Sequence, residues 1–506
     1  MSEINQMFNI LDAVSWHACN NSDQIAVQGS NTRLSYSELH QEVQTLATLL
    51  ESSGWRTVAV MLGNSPAWVV IDLAAEQAGV ILVPLPSFFS ESQVTHSLRD
   101  AGVNAVITDQ PERFTGFSRS SLCKNIAGTA LNCLVVPASL KVSGVNVPAD
   151  TIKVTYTSGT TGTSKGVCLS GNAIDQVSRS LAQRSQVRAD DIHICLLPLA
   201  TLLENIGGIY VPLLAGATIA VPSLGQVGML GASGVHIDLL IKALEQYKAT
   251  RAILLPQMLQ SLIERLEVGS SVLPRLRFLA VGGAPVPPTL LQRAEHLGLP
   301  VFQGYGLSEC CSVVALNNEE HNRPESVGKP LCHVGLRFNT DGEIMVKGSL
   351  FNGYLGGLPR VVNGWWPTGD FGYLDDDGYL FITGRKKNMF ITSYGRNVAP
   401  EWVEQELVLS PFIAQAFVYG EARPWNIAVL VSDATDAQVQ AAVSNVNIGL
   451  PDYARVSCWL RADKPFSVAN ELMTATGRLR RKSVLRAYDE RIEATYLDFA
   501  YIKENL

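Results

Sequence analysis

The strongest constraint on the fold is a repeated alternation, from residue 35 to residue 281, of helix-period segments with short apolar runs. Ser35 and Glu38 make a capping-box pattern ahead of Leu39, Val43, Leu46, Ala47 and Leu50, which share one helical face, and Gly54 follows as a stop. A strand is expected at Thr57 to Leu62, then a helix opened by Pro66, then a strand at Val80 to Val83. Glu91 to Ala101 with Ala105 to Thr108 repeats the unit. So do Asn172 to Gln186 with Ile192 to Leu197, Ile206 to Leu214 with Ala217 to Val221, Ile237 to Tyr247 with Ala252 to Leu255, and Pro256 to Leu266 with Phe278 to Val281. Short apolar strands separated by crossover helices predict an α/β fold with a layered, parallel sheet. Two such lobes are expected before residue 300, with a Gly/Ser-rich loop from Ser223 to Gly234.

From Val334 the texture changes to short runs with turns: Glu343 to Lys347, Tyr373 to Leu374, the D-D-D-G turn at Asp375 to Gly378, and Tyr379 to Thr383. This predicts a small β-rich unit. The charged run Arg385 to Asn388 then marks a boundary. Pro400 to Val408 as helix, with Ala414 to Val418 and Ile427 to Val431 as strands, predicts a small α+β module beyond it. The expected domains are therefore 1–386, two α/β lobes plus the β-rich unit, and 387–506, a small α+β module. A chain of 506 residues with 47% apolar content exceeds what one core serves.

A net charge of −7 argues against a nucleic-acid or anionic-membrane surface. Against that background the cluster Arg478, Arg480, Arg481 and Lys482 reads, on composition, as a solvated face. Nine scattered cysteines, odd in number and never spaced C-x-x-C, disfavour a disulfide frame or a zinc site and point to a reducing, cytoplasmic setting. The first residues carry no export signal, and the most apolar stretch, Ala67 to Leu85, contains Asp72 and Glu76. It predicts a buried helix and strand, with no transmembrane segment.

Chemistry concentrates in Thr155 to Gly166, T-Y-T-S-G-T-T-G-T-S-K-G. Five threonines and two serines supply hydroxyls, three glycines admit close backbone approach to an anion, and Lys165 adds a positive charge. Ile152 and Val154 before it and Val167 to Leu169 after it predict strands that hold the loop in a hairpin-like turn. The spacing is not that of a Walker A loop. Thr157, Ser158, Gly159, Thr160, Thr161 and Gly162 are the candidates for wrapping phosphates. Three further stretches stand out: Gly282 to Pro285, a close-approach turn; Gln303 to Glu309, Q-G-Y-G-L-S-E, which fails the dinucleotide fingerprint because Glu309 takes the third glycine position; and Trp365 to Asp370, a turn with a single acid.

Tyr156 to Val167 resembles the signature loop of the adenylate-forming superfamily, which includes acyl-CoA synthetases, luciferases and peptide-synthetase adenylation domains. The likeness runs in order over nearly the whole chain. In G-R-K-K-N-M-F-I-T-S-Y-G-R-N-V-A-P it leans to the fatty-acyl-CoA ligase branch. The resemblance implies ATP with its β- and γ-phosphates in the loop near Lys165, Gly304 and Tyr305 at the adenine, Ser308 at the α-phosphate and Glu309 at Mg²⁺. It places Gly283 and Ala284 against nucleotide and acyl group, Asp370 at the ribose hydroxyls and Arg385 at ribose or phosphate. Lys387 falls where the C-terminal domain swings. Gly395 matches a glycine that admits pantetheine, and reads equally as a plain turn glycine.

Three departures matter. Ser308 stands where threonine is usual, Thr201 where many relatives carry histidine, and Arg478, in T-A-T-G-R-L-R-R, where a lysine normally meets the substrate carboxylate and α-phosphate. Arginine keeps the charge but changes reach and geometry. Either Arg478 serves, or Lys482 substitutes, or adenylation is slow; Arg478 is the favoured reading. The implied activity is ATP- and Mg²⁺-dependent conversion of a carboxylic acid, a fatty acid first, to acyl-AMP and pyrophosphate, followed by transfer to a thiol, coenzyme A first. Delivery to a carrier-protein phosphopantetheine, capture by an amine, and a weakly catalytic acyl-AMP-binding protein are the alternatives. Leu199 to Gly207 and Val281 to Pro285 are the expected walls of the acid pocket, and no specificity aspartate for an amino group is evident.

Overall fold

Ser35 caps the helix Tyr36–Ser52 as its sequence requires: its hydroxyl accepts from the Glu38 amide, and the Glu38 carboxylate accepts from the Ser35 amide at 2.7 Å. The five apolar residues of the expected face are all buried. The computed structural model describes residues 9–504 except 123–124, 143, 158–163, 231–233, 270–272, 285, 287, 358–360, 362, 395 and 475–477.

The alternation builds two large sheets. The eight-stranded sheet runs, in spatial order, Gly353–Tyr354, Lys165–Ser170, Thr151–Thr157, Ile81–Pro84, Thr57–Met61, Ala105–Thr108, Asn132–Val135 and Ser118–Ser120. Its four inner strands are parallel and its flanks antiparallel. The nine-stranded sheet runs Arg33–Ser35, Ile25–Gln28, Thr218–Ala220, Ile192–Ile194, Arg251–Leu254, Phe278–Val281, Val301–Tyr305, Ala315–Leu316 and Lys329–Pro330, parallel except at its two ends. Both sheets are thus mixed rather than purely parallel. The reason is local: the link from Thr157 to Lys165 is too short for a crossover helix, so those strands turn back on each other.

The lobes are not consecutive in the chain. Residues 25–35 supply two strands to the sheet completed by residues 192–330, and Gly353–Tyr354 returns to the sheet begun at residue 57. The stretch expected as a loop from Ser223 to Gly234 contains a short pairing of Met229–Leu230 with Gly234–Val235. The β-rich unit is a four-stranded antiparallel sheet of Gly335–Phe338, Glu343–Lys347, Trp366–Leu374 and Leu380–Arg385. Beyond it, a smaller domain stacks Pro400–Val408, Asp436–Gly449 and Arg481–Glu504 on a sheet of Gln415–Tyr419, Asn426–Val431 and Val456–Arg461, with cores of its own. Among the described residues no helix is long and apolar enough to cross a membrane.

Inside the large domain sits a charged cluster. Lys153, on the strand that enters the hydroxyl-rich loop, forms a buried ion pair with Asp72 at 2.7 Å, and its ammonium donates to Asn205 Oδ1 and to the Tyr210 hydroxyl at 2.8 Å. Asn205 and Tyr210, both on a π-helical turn, donate in turn to Asp72 Oδ2 at 2.7 and 2.9 Å. Lys153→Ala would leave Asp72 buried and unpaired, with an expected loss of about 3–5 kcal/mol in urea unfolding; a loss below about 1 kcal/mol would show that the pair carries no weight.

Glu76, one helical turn on from Asp72, has its carboxyl pushed up to about 8 by burial and by Asp175, against the opposing pull of Lys153. The folded chain therefore keeps a proton that the unfolded chain releases near 4.5. This contribution is complete below that pH and is lost as pH rises through about 8. Glu76→Gln mimics the protonated form and is expected to flatten the fall in stability between about pH 5 and about pH 8.5, read by denaturant midpoints; an unchanged slope would assign the fall to other groups.

Candidate active site

In the nine-stranded sheet, Leu254, Val281 and Gln303 stand side by side in register at the carboxyl ends of parallel strands, where α/β sheets bind ligands. Two tight turns follow them. A Cβ on Gly282 would lie 3.1 Å from the Gly304 carbonyl oxygen, and Gly283 takes a φ of +81°. A Cβ on Gly306 would lie only 1.6 Å from the Ser312 carbonyl oxygen. Cys311 and Ser312 hold left-handed φ values of +53° and +95°, a strain that the buried turn imposes on non-glycine residues. That turn carries Ser308 and Glu309 on a single 3₁₀ turn, Ser308–Cys310.

Asp370 is buried on Trp366–Leu374, opposite Arg385 on the neighbouring strand. Arg385 Nε donates to Asp370 Oδ1 at 2.7 Å, and the Tyr305 hydroxyl donates to Oδ2 at 2.6 Å. Burial and the Asp370 charge hold the Tyr305 phenol well above its ordinary pKa. Burial works against the Arg385 charge, but Asp370 outweighs it and raises that pKa. Three residues chosen from separate motifs thus share one hydrogen-bonded group.

Glu309 is held twice: the Phe351 amide donates to its carbonyl at 2.9 Å, and the Tyr354 hydroxyl donates to Oε1 at 2.7 Å. Among the described residues Oε2 has no hydrogen-bond partner. Lys165 begins the strand after the loop, with its ammonium 5.1 Å from the centroid of the Tyr354 ring. Thr157 pairs with Lys165 and closes the hairpin beneath the loop. Arg478, 195 positions from Gly283, donates from Nη2 to the Gly283 carbonyl. The residue keeps solvent contact, while the protein crowding its guanidinium and the nearby Arg385 lower its pKa, with Asp370, Glu401 and Glu309 pulling the other way. Glu309, Asp370, Arg385, Gly283 and Arg478 therefore converge.

Other expected residues stand apart or fall elsewhere. Ser158, Gly159, Thr160, Thr161, Gly162 and Gly395 lie outside the described residues. Ala284 is exposed beside Gly283; Gly304 pairs through its backbone with Leu316. Lys387 is exposed, and its neighbour Lys386 instead bonds Asp341 and Glu343, each at 2.8 Å. Lys482 is exposed, whereas Arg481 bonds Glu404 at 2.6 Å and the Val418 carbonyl. The basic cluster is thus not one solvated face, because Arg481 is drawn inward by a carboxylate and a carbonyl, while the exposed Arg478 bonds the Gly283 carbonyl. The Thr201 hydroxyl donates to the Pro198 carbonyl at 2.6 Å. Tyr354 was not among the expected residues; its strand of two residues is too short for periodicity to register.

Residues 14–355 match the family model described as AMP-binding enzyme, and residues 387–500 match the one described as AMP-binding enzyme C-terminal domain. The chain belongs to the AMP-binding enzyme family. A 2-succinylbenzoate–CoA ligase of Bacillus cytotoxicus is 28% identical to this AMP-binding enzyme over 432 residues, covering 79% of this chain and 83% of the relative. Among solved structures, the O-succinylbenzoate coenzyme A synthetase of Bacillus subtilis in complex with ATP and magnesium aligns with a TM-score of 0.74 at 23% identity, over 93% of this chain and 98% of that one. An anthranilate CoA ligase in complex with anthranoyl-AMP aligns with a TM-score of 0.78 at 16% identity, over 96% and 99%. The two structural likenesses establish the shared α/β fold with a large N-terminal and a smaller C-terminal domain. The relatives are named for aromatic acids, and the expected lean to the fatty-acyl branch finds no counterpart among them.

In this AMP-binding enzyme Gly306→Ala is expected to weaken AMP binding by about tenfold or more, since even ~1 Å displacements at such a site are costly. Gly225→Ala, where an added Cβ meets nothing within 4 Å, serves as the control. Equal AMP affinity of the two variants in calorimetry would show that the 305–312 turn does not shape the site.

Proposed function

We propose that the protein is an AMP-forming acid–thiol ligase. The supporting observation is the convergence of Glu309, Asp370, Arg385 and Arg478 around the Gly283 turn, next to the hairpin that ends at Lys165. A substrate carboxylate oxygen attacks the α-phosphorus of ATP, the acyl–phosphate bond forms, and the bond to pyrophosphate breaks. The thiol of coenzyme A then attacks the acyl carbonyl, forms the thioester, loses its proton and releases AMP.

In this reading Thr157 to Gly162 and Lys165 take the β- and γ-phosphates, and Ser308 and Arg478 face the α-phosphate and the acid. Asp370 and Arg385 hold the ribose, with Gly304, Tyr305, Gly283 and Ala284 bounding nucleotide and acyl group. The donor set suits Mg²⁺, which takes one or two carboxylates and fills its shell with phosphate oxygens and water. Glu309 offers it the Oε2 that has no partner among the described residues. When bound, the ion would neutralise phosphate charge. The chain divides into domains 1–386 and 387–506, and the smaller one turns about Lys387 between the half-reactions, with Gly395 admitting the thiol arm. The names of the relatives favour an aromatic acid over a fatty acid.

Pyrophosphate release over a panel of 2-succinylbenzoate, anthranilate, fatty acids and amino acids tests this reading. Release with an aromatic acid, and coenzyme A consumption when it is added, is expected. Release without coenzyme A consumption would move the acceptor to a carrier protein or an amine, and no release with any acid would leave a nucleotide-binding protein. Arg478→Ala is expected to slow adenylation on the order of 10²–10³-fold and to spare transfer from supplied acyl-AMP, with Arg478→Lys close to the parent. Equal impairment of both steps would remove Arg478 from its role.

A further inference from the structure

The segment from Phe351 to Leu355 touches both halves of the site from behind. Its amide at Phe351 holds the Glu309 carbonyl, and the Tyr354 hydroxyl donates to Glu309 Oε1 at 2.7 Å. Tyr354 also pairs with Val167 across the sheet, and the Leu355 amide donates to the Gly166 carbonyl at 2.9 Å. A Cβ on Gly166 would come within 2.6 Å of Leu355 Cδ1, so the Leu355 side chain packs directly over the Gly166 backbone. The Lys165 ammonium faces the Tyr354 ring.

We infer that Tyr354 is a positioning residue that sets the Glu309 carboxylate and the Lys165 ammonium at a fixed separation around the triphosphate, an inference that rests on the ligase reading above. Packing accounts for the ring. Tyr354 meets Phe351 and Trp366 edge-on, at centroid distances of 4.9 and 6.3 Å. It does not account for the hydroxyl, which spends its one proton on a single oxygen of Glu309, Oε1, and so leaves Oε2 without a bond from Tyr354. The ring face supplies a second contact, since an aromatic face attracts an ammonium at this range without satisfying its hydrogen-bonding capacity. Lys165 is thereby placed but left able to donate to an anion.

Calorimetry of ATP binding without any acid separates these contacts from catalysis. Tyr354→Phe keeps the ring and removes the hydroxyl; it is expected to weaken binding of ATP with Mg²⁺ by about tenfold or more and to leave binding in EDTA unchanged. Tyr354→Leu is expected to weaken both. In a Glu309→Gln background the Tyr354→Phe change should add little, and this double-mutant comparison holds even if the single variant is somewhat destabilised. Parental Mg²⁺-ATP affinity in Tyr354→Phe, or an equal loss with and without metal, would overturn the inference while leaving the ligase reading intact. Failure of the parent protein to bind ATP at all would overturn both.

Discussion

A lysine ammonium in an apolar interior is tolerable only when its charge and its donors are met, and Lys153 meets them with Asp72, Asn205 and the Tyr210 hydroxyl. The rest of the site depends on this. Lys153 lies on the strand of the eight-stranded sheet that enters the hydroxyl-rich loop, whereas Asn205 and Tyr210 belong to the turn between two strands of the nine-stranded sheet. Hydrophobic contact alone would let two apolar faces slide. Directed bonds to a buried charge give them one register, at the point where the loop and the expected acid-pocket wall must face each other.

The site is then assembled from pieces that no single element owns. Tyr305 comes from the edge of the parallel strands, Asp370 and Arg385 from the small antiparallel sheet, Arg478 from the C-terminal domain, and Lys165 from the other large sheet. Asp370 is the hinge of this arrangement, because its two oxygens bind two partners from different sheets. The strained backbone at Cys311 and Ser312 lies beside Glu309 and persists only because the packed turn around it fixes the chain there.

Much of this was legible locally. The Ser35 capping box, the helix at Pro66–Gln77, the strand Phe278–Val281 and the helix Pro400–Val408 follow from capping, proline and apolar spacing, and fall where those signals put them. The hairpin under the hydroxyl-rich loop was readable from its flanking apolar residues. The family emerged from ordered motifs. The substrate branch did not, because a motif shared across a superfamily reports the nucleotide chemistry and says little about the pocket that chooses the acid. Helices Asp436–Gly449 and Arg481–Glu504 escaped notice, being less regularly apolar than those of the large domain.

By itself the amino-acid order determined the periodicities: which segments coil, which extend, where only glycine fits, and which short runs are rich in hydroxyls or charge. The three-dimensional fold alone decided which strands share a sheet, that residues 25–35 join residues 192–330, that Arg478 reaches Gly283, and that Tyr354 holds Glu309. The physical reason is range. Backbone preference and amphipathic spacing act over a few residues, whereas a contact between positions 195 apart is selected only when burial and buried hydrogen bonding are satisfied for the whole chain at once.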